Sequence, residues 1–245
     1  MRRGAGAVAR WLALGLLPLL SGCFLSSSVS IIDKTDVAPG FGAGRYATLE
    51  ALKPDELAKV PVAIRPYCID PGYIATQRDE NFKPTGVRAK VVYCAYNADK
   101  GEAKPISDIS IAGANYHWQA NGEKSDFRLH RIRDGYYLMQ AIAEVSGDVK
   151  LDAPLYIYIV LRVLPDRAEA YLPDCAQFPG IQTKRTPEVE CEVKDLAGLT
   201  HDLDAYVGQI ERGAEVPVAM LKQVSPEGPG WREAEGATLS SHPMR

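Results

Sequence analysis

The sequence predicts an α+β fold: an antiparallel β-meander, curled or bent into a half-barrel, with a C-terminal helix packed on one face. Three observations support it. Apolar residues alternate with polar ones in several runs between residues 87 and 172. Asn121-Gly122 and Asp134-Gly135 lie between such runs, where they favour tight hairpin turns. Residues 196–210 then carry apolar side chains at helical spacing.

The turns and runs define a meander of about five strands. Residues 87–96 alternate with period two, and Asn121-Gly122 joins 114–119 to 126–132. Counting outward from this turn places residue 120 opposite 123 and His117 opposite about Asp126. Residues 136–143, 155–164 and 167–172 follow. Because 155–164 is almost continuously apolar, we expect a central strand covered on both faces.

The flanking segments are less regular. Asp195 is a predicted N-cap for the helix over 196–210, Gly213 is a predicted stop, and 216–221 could add a last strand. Residues 48–60 have helical spacing but contain Pro54, which leaves two short turns or a helix that starts near Lys53.

Four segments make up the predicted domain organisation. Residues 1–22 are a signal peptide that is removed, and 23–44 are a lipidated cysteine with a glycine- and serine-rich flexible tether. Residues 45–222 form a single β-rich globular domain. Residues 223–245, rich in glycine, proline, glutamate and serine, form a disordered tail.

The N-terminus has the order of a secretory signal: Arg2, Arg3 and Arg10, then a short apolar run over 11–20, then small residues. The run is too short to span a bilayer, which needs about 20 apolar residues. Leu20-Ser21-Gly22-Cys23 resembles the lipobox of bacterial lipoproteins. The resemblance implies cleavage between Gly22 and Cys23 and a diacylglycerol joined to the cysteine sulfur. An ordinary signal peptide with a chance cysteine is the alternative.

The resemblance also implies a location. Acylation of the new amine, for example by palmitate, would add a further chain, and several acyl chains anchor a protein stably. In the enterobacterial form of the family, Asp after the cysteine retains the protein at the inner membrane. Phe24 stands there. We therefore expect an outer-membrane lipoprotein that faces the periplasm.

Charge argues against nucleic acid as a partner. Removing the signal leaves 25 basic and 31 acidic residues, a net charge of −6, and no basic tract. The expected partners are the membrane, through lipid on Cys23, and an envelope protein or peptidoglycan. We expect no cofactor.

Four cysteines remain for the fold: Cys68, Cys94, Cys175 and Cys191. An even number in an exported protein suggests two disulfides. Of three pairings we favour the local ones, Cys68–Cys94 and Cys175–Cys191. No pair has the C-x-x-C spacing of a metal or redox motif, so no metal site is predicted.

The sequence contains no nucleophile elbow, zinc-protease motif or phosphate loop, so we predict no catalytic residues and no enzyme. The strand over 126–132 and its end are unusually basic. Arg128, His130, Arg131 and Arg133 form either a solvated edge strand or a candidate anion-facing patch. Hairpin register makes His117 and His130 non-partners. A metal or acid–base role would need both histidines on one face with a carboxylate, and the register does not supply that arrangement.

The body resembles uncharacterised proteobacterial lipoproteins in its tract Gly135-Tyr136-Tyr137-Leu138-Met139-Gln140 and in Cys175 and Cys191 ahead of a helix. The resemblance implies no known activity. The leading hypothesis is an envelope lipoprotein with a non-enzymatic binding or structural role. The alternatives are a carrier of a small hydrophobic ligand or lipid, since curled sheets can enclose cavities, and an envelope hydrolase.

Overall fold

Antiparallel strands dominate the structure, a computed structural model that describes residues 25–33, 40–78, 84–143, 154–173, 175–178, 181 and 192–224. The α-helices in these residues are α1 (Pro54–Lys59) and α2 (Leu196–Glu211), and short 3-10 helices span Arg65–Tyr67 and Cys175–Gln177. The strands are β1 (Ser26–Ser27), β2 (Gly44–Leu52), β3 (Cys68–Ile69), β4 (Ile74–Arg78), β5 (Pro84–Lys90), β6 (Val92–Cys94), β7 (Tyr96–Asn97), β8 (Glu102–Ala103), β9 (Ile106–Ala112), β10 (Asn115–Ala120), β11 (Glu123–Arg133), β12 (Tyr136–Ala143), β13 (Leu155–Val163), β14 (Arg167–Tyr171) and β15 (Ala219–Gln223).

Eight of these strands close into a barrel. Strands β9 to β15 form a meander in chain order, and β2 pairs with both β9 and β15, every pairing being antiparallel. The prediction of an α+β fold with an antiparallel meander is confirmed. The predicted half-barrel is less closed than the observed barrel, because β15 pairs with β2 from Ala219↔Glu50 to Gln223↔Tyr46 and closes the ring.

The predicted hairpin register is confirmed. Ala120 pairs with Glu123 and His117 with Asp126. Asn121 and Gly122 have φ angles of 50° and 81°, the left-handed conformations that a tight hairpin turn requires.

Strand β2 corrects the helical reading of residues 48–52, whereas the alternative of a helix that starts near Lys53 is confirmed. Residues up to Leu52 are a strand, and only the six residues of α1 are helical, beginning directly after Lys53. Tyr46 faces the barrel interior while Ala47 and Leu49 pack outside it. Because both faces of β2 are buried, its apolar residues do not alternate cleanly, and their spacing resembles that of a helix.

Apolar and aromatic side chains fill the barrel interior. Every barrel strand contributes to this cluster, from buried residues or from partly buried ones such as Ala170 and Leu221. Phe127 and Tyr116 stack with ring centroids 4.9 Å apart. The buried members, called here the interior cluster, are Tyr46, Ile109, Tyr116, Phe127, Leu129, Ala141, Ile157, Ile159 and Leu161.

Helix α2 covers the outer face of β12 to β14. Asp195 caps it as predicted, accepting a hydrogen bond from the Gly198 amide at 2.7 Å. Its apolar stripe, including Leu203, Tyr206 and Val207, packs on Leu138 and Val160 of the barrel wall. Strand β13 is therefore buried on both faces, as predicted.

The N-terminal segment also packs on the barrel. We predicted a flexible tether over 23–44, but Leu25 and Ile32 are fully buried and Ser26–Ser27 pair with β13. The side chain of Gln140 holds this strap (residues 25–33). Its Oε1 accepts hydrogen bonds from the Ile31 and Ile32 amides at 2.9 and 3.0 Å. Buried backbone amides need such acceptors, so Gln140 fixes the strap in place.

Residues 40–42 close over the barrel interior. The Tyr116 hydroxyl donates to the Phe41 carbonyl oxygen at 3.1 Å and accepts from the Gly40 amide at 2.8 Å. A Cβ at Gly40 would lie only 2.6 Å from Leu129 Cδ1, so a larger residue there would require the Leu129 side chain to move. The glycine-rich run is thus packed structure, and the ring of Phe41 contacts the interior cluster.

Short strands β3 to β8 form an outer layer beside β2. Strand β6 pairs with the end of β2 and with β3, and Tyr93 of β6 packs against Leu49 and Met220. At the C-terminus, the predicted tail begins too early by two residues. Gln223 ends β15, and Val224 packs on this layer. The predicted signal peptide and residues 225–245 lie outside the described residues.

Candidate functional site

Four side chains lie side by side across one end of the barrel. Arg133 pairs with Tyr136, Tyr136 with Arg162, and Arg162 with Glu169, on β11 to β14. The Cζ atoms of Arg133 and Arg162 lie 5.5 and 6.0 Å from the centroid of the Tyr136 ring. These distances suit cation–π contacts. We call this set the outer row, because it lies on the wall that faces away from the interior cluster.

Glu169 ends the outer row and is completely buried. Its carboxylate accepts hydrogen bonds from the hydroxyls of Tyr73 and Tyr171, at 2.8 and 2.9 Å, and from Arg167 Nε at 3.0 Å. Arg162 Nη1 lies 3.7 Å away. A buried carboxylate is tolerated only when it is paired and hydrogen-bonded, and these donors meet that requirement.

Tyr73 joins the outer layer to the barrel through this carboxylate. It precedes β4 and packs with Tyr93 of β6, yet its hydroxyl reaches Glu169 on β14. Burial raises the pKa of Tyr171, and the hydrogen bond with Tyr73 and the charge of Glu169 raise it further. Burial also raises the pKa of Tyr73. Both phenols therefore stay protonated and act as donors at neutral pH.

A β-bulge places Arg133 on the outer face. Arg131 pairs with Tyr137, which packs on the interior cluster, whereas Arg133 pairs with Tyr136 on the outside. The register shifts between these two arginines, and a bulge redirects side chains in this way. The groove beside them has a volume of about 610 Å³ and is lined by Arg131, Ile132, Arg133, Asp134 and Glu211.

Both arginines of the groove have acidic neighbours. Arg131 forms an ion pair with Asp134 across the hairpin turn. Arg133 Nη2 lies 2.8 Å from Glu211 Oε2 at the end of α2. That contact is ionic and lacks hydrogen-bond geometry. Within the described part of the chain, Arg133 Nε and Nη2 are buried atoms that make no hydrogen bond, although the side chain as a whole is 38% exposed.

The structure divides the predicted anion-facing patch into two parts. Arg131 and Arg133 meet at the groove. Arg128 instead donates to Asn115 Oδ1 at 2.8 Å and to the Ile32 carbonyl at 3.0 Å, so it helps to hold the strap. His130 pairs with Leu138 in the middle of the sheet. Anion binding by these residues remains a prediction.

The confirmed hairpin register places the carboxylate of Asp126 beside His117. Its Nδ1 lies 2.7 Å from Asp126 Oδ1, while Ser110 pairs with it from the other side. The side chains of His117 and Asp126 are 39% and 58% exposed. An exposed sheet face excludes no water, and the strand that carries His117 is paired on both sides, so its backbone amides are engaged in the strand ladder.

The structure describes three of the cysteines, Cys68, Cys94 and Cys175. The predicted bond between Cys68 and Cys94 is present, linking β3 to β6. Cys175 is also disulfide-bonded. Its favoured partner Cys191, the anchor Cys23 and the cleavage residue Gly22 lie outside the described residues.

Lys104 is a second buried charge, only 4% exposed, and its ammonium contacts the Glu50 carboxylate on β2. Burial lowers the pKa of Lys104 to about 8. The adjacent carboxylate favours the ammonium form, so the pair is a compromise between desolvation and ionic attraction.

Sequence reasoning missed Glu169, Tyr73, Tyr171 and Arg162. The alternation in Arg167-Ala168-Glu169-Ala170-Tyr171 could have placed Glu169 and Tyr171 on one face. Their burial depends on the covering layers, which that pattern does not encode.

Among the described residues, no cluster of three or more His, Cys, Asp or Glu side chains could hold a metal ion. No helix in the same part of the chain has the length and apolar character that a membrane crossing requires. Comparison of the sequence and structure with protein families, curated proteins and solved structures gave no match.

Proposed function

We propose that this protein is a bacterial lipoprotein, anchored by lipid on Cys23 to the outer membrane and facing the periplasm. Its barrel would be a non-enzymatic binding or structural component of the envelope. The observation that carries the proposal is the basic, apolar and small-residue order that ends in Leu20-Ser21-Gly22-Cys23. The disulfide between Cys68 and Cys94 supports an oxidising compartment.

The outer surface supports a binding role better than the interior does. The interior cluster is filled by apolar side chains, including aromatic rings, with Phe41 packed against them. An eight-stranded barrel is just wide enough for such filling or for one small ligand. The outer row and its groove instead present charged groups at the barrel end.

Intact-mass analysis of the protein from the membrane fraction tests the anchor. We expect an N-terminus at Cys23 that carries diacylglycerol and acyl mass. Cys23→Ser should abolish the lipid and release the protein from the membrane, because only a thiol forms the thioether. Ser21→Ala keeps a small residue before the cleavage site and should be processed normally. A mature wild-type protein without lipid, or one that starts elsewhere, would refute the proposal.

The carrier alternative rests on the closed barrel. Native mass spectrometry distinguishes it from a surface-binding role: a small molecule retained by the wild-type protein and lost on Leu161→Trp, which fills the interior further, would favour a carrier. The hydrolase alternative rests only on His117 and Asp126. Loss of a measured hydrolase activity on His117→Gln would be needed to support it.

A further inference from the structure

We propose that the groove at the barrel end binds an oxyanion, a carboxylate or a phosphate group, through the side-on edge of Arg133, with Arg131 as a second cation. The inference deepens the proposed binding role and is independent of the lipid anchor. It is carried by three observations on the described residues: the orphaned donors of Arg133, the groove beside them and the position of Glu211.

The two orphaned nitrogens belong to one edge of the guanidinium. The Nε–H and one Nη2–H bond point in the same direction, and this pair of donors matches the two oxygens of a carboxylate or phosphate. Both nitrogens are buried and make no hydrogen bond in the described part of the chain. Nη2 already has the ionic contact with Glu211, so the Nε–H is the donor with no polar partner among the described residues, and a bidentate oxyanion would give both nitrogens an acceptor.

Contacts on the side away from the groove orient this edge of the guanidinium. The Arg133 guanidinium lies over the Tyr136 ring, and Arg162 approaches the same ring. Arg162 is in turn near the buried Glu169. The guanidinium is therefore positioned before a ligand arrives, which reduces the entropy lost on binding.

Glu211 acts as an internal substitute for the ligand. Its Oε2 lies 2.8 Å from Nη2 but makes no hydrogen bond there. It is also the last residue of α2, where the helix dipole disfavours a negative charge. Its side chain is half exposed and can swing away. An incoming oxyanion would displace it and complete the edge, while Arg131 would exchange Asp134 for the ligand.

Titrations with inorganic phosphate and with acetate, at constant ionic strength, test the site. In ¹⁵N NMR spectra of the wild-type protein, the backbone amides of Ile132 and Asp134 and the Nε–Hε signal of Arg133 should shift saturably with at least one anion. Tighter binding of phosphate would identify a phosphate ligand such as a lipid headgroup. Tighter binding of acetate would identify a carboxylate ligand such as a peptide.

Three variants distinguish binding by the bidentate edge of Arg133 from binding by positive charge alone. Arg133→Lys keeps the charge but removes the bidentate edge, and we expect binding to weaken about tenfold. Glu211→Gln removes the competing carboxylate and should tighten binding several-fold. Arg212→Lys, at an exposed neighbour that does not line the groove, should leave the affinity unchanged. Backbone amide spectra confirm that each variant is folded.

Two results would overturn the site: neither anion shifts these signals in the wild type or in Glu211→Gln, or Arg212→Lys weakens binding as much as Arg133→Lys. Loss of the lipid in the mass analysis would refute the anchor without affecting this titration.

Discussion

The barrel interior and the outer row lie on opposite faces of the same strands, yet different physics stabilises them. The interior cluster gains free energy from buried apolar area and close packing. The outer row depends on partners, because its buried carboxylate is tolerated only through its donors. Tyr116 and Tyr136 illustrate the contrast: one stacks on Phe127, and the other lies near two guanidinium groups. We therefore expect stability to depend chiefly on the interior, and the proposed recognition to depend on the exterior.

The largest expected effect comes from opening the interior. Phe127→Ala should lower the free energy of unfolding by about 3–5 kcal/mol, since a large cavity is left beside Tyr116. Chemical denaturation measures the change. Ile142→Ala on the neighbouring strand is the matched control, because Ile142 is 47% exposed and should change stability by at most about 0.5 kcal/mol. Equal effects of the two substitutions would contradict a filled interior.

A pH scan sharpens the comparison, because the most strongly shifted groups lie outside the interior cluster. Burial lowers the folded pKa of Lys104 to about 8, below its unfolded value. Between about pH 8 and 10 the unfolded chain therefore binds more protons, and stability should rise with pH, by up to roughly 3 kcal/mol. Buried tyrosines such as Tyr93 and Tyr171 have raised pKa values, so their contribution is lost as pH rises above about 10.

Urea denaturation between pH 7 and 11 measures this profile. Lys104→Met removes the titrating ammonium and should abolish the rise while leaving the fall above pH 10. A wild-type stability that decreases steadily from pH 8 would contradict the pKa assigned to Lys104.

Removing the charge of Glu169 tests the outer row. Glu169→Gln should destabilise the protein by about 2 kcal/mol, because the amide accepts less strongly from Tyr73 and Tyr171 and removes the charge that faces Arg167 Nε. Thermal and chemical denaturation measure the loss. Asp166→Asn is the control, since Asp166 also pairs with Arg167 but is exposed, and should have little effect. A stable Glu169→Gln variant would mean that the donors are satisfied elsewhere.

The smallest effect expected is that of a single donor. Tyr73→Phe should cost about 1 kcal/mol, the usual contribution of one hydrogen bond. In combination with Glu169→Gln the loss should be less than additive, because both substitutions remove the same contact. Strict additivity in this double-mutant cycle would contradict the inference that Tyr73 joins the outer layer to the barrel wall through Glu169.

Local features of the fold were predictable because they depend on near neighbours in the chain. The turn at Asn121-Gly122 fixed the register of His117 with Asp126. Asp195 capped α2, and the local cysteine pair Cys68–Cys94 formed its bond. Closure of the barrel was not predictable, because it requires β2 and β15 to meet across most of the chain. No periodicity encodes that contact.

The sequence by itself determined the meander, its hairpin register and the capped helix, because turn residues and side-chain periodicity act locally. The sequence is also the sole support for the proposed anchor at Cys23. Only the tertiary structure decided that the run around Phe41 packs over the interior cluster, that Glu169 is buried, and that a bulge turns Arg133 outward. These outcomes depend on which distant strands become neighbours, and therefore on the balance of burial and polar pairing over the whole chain.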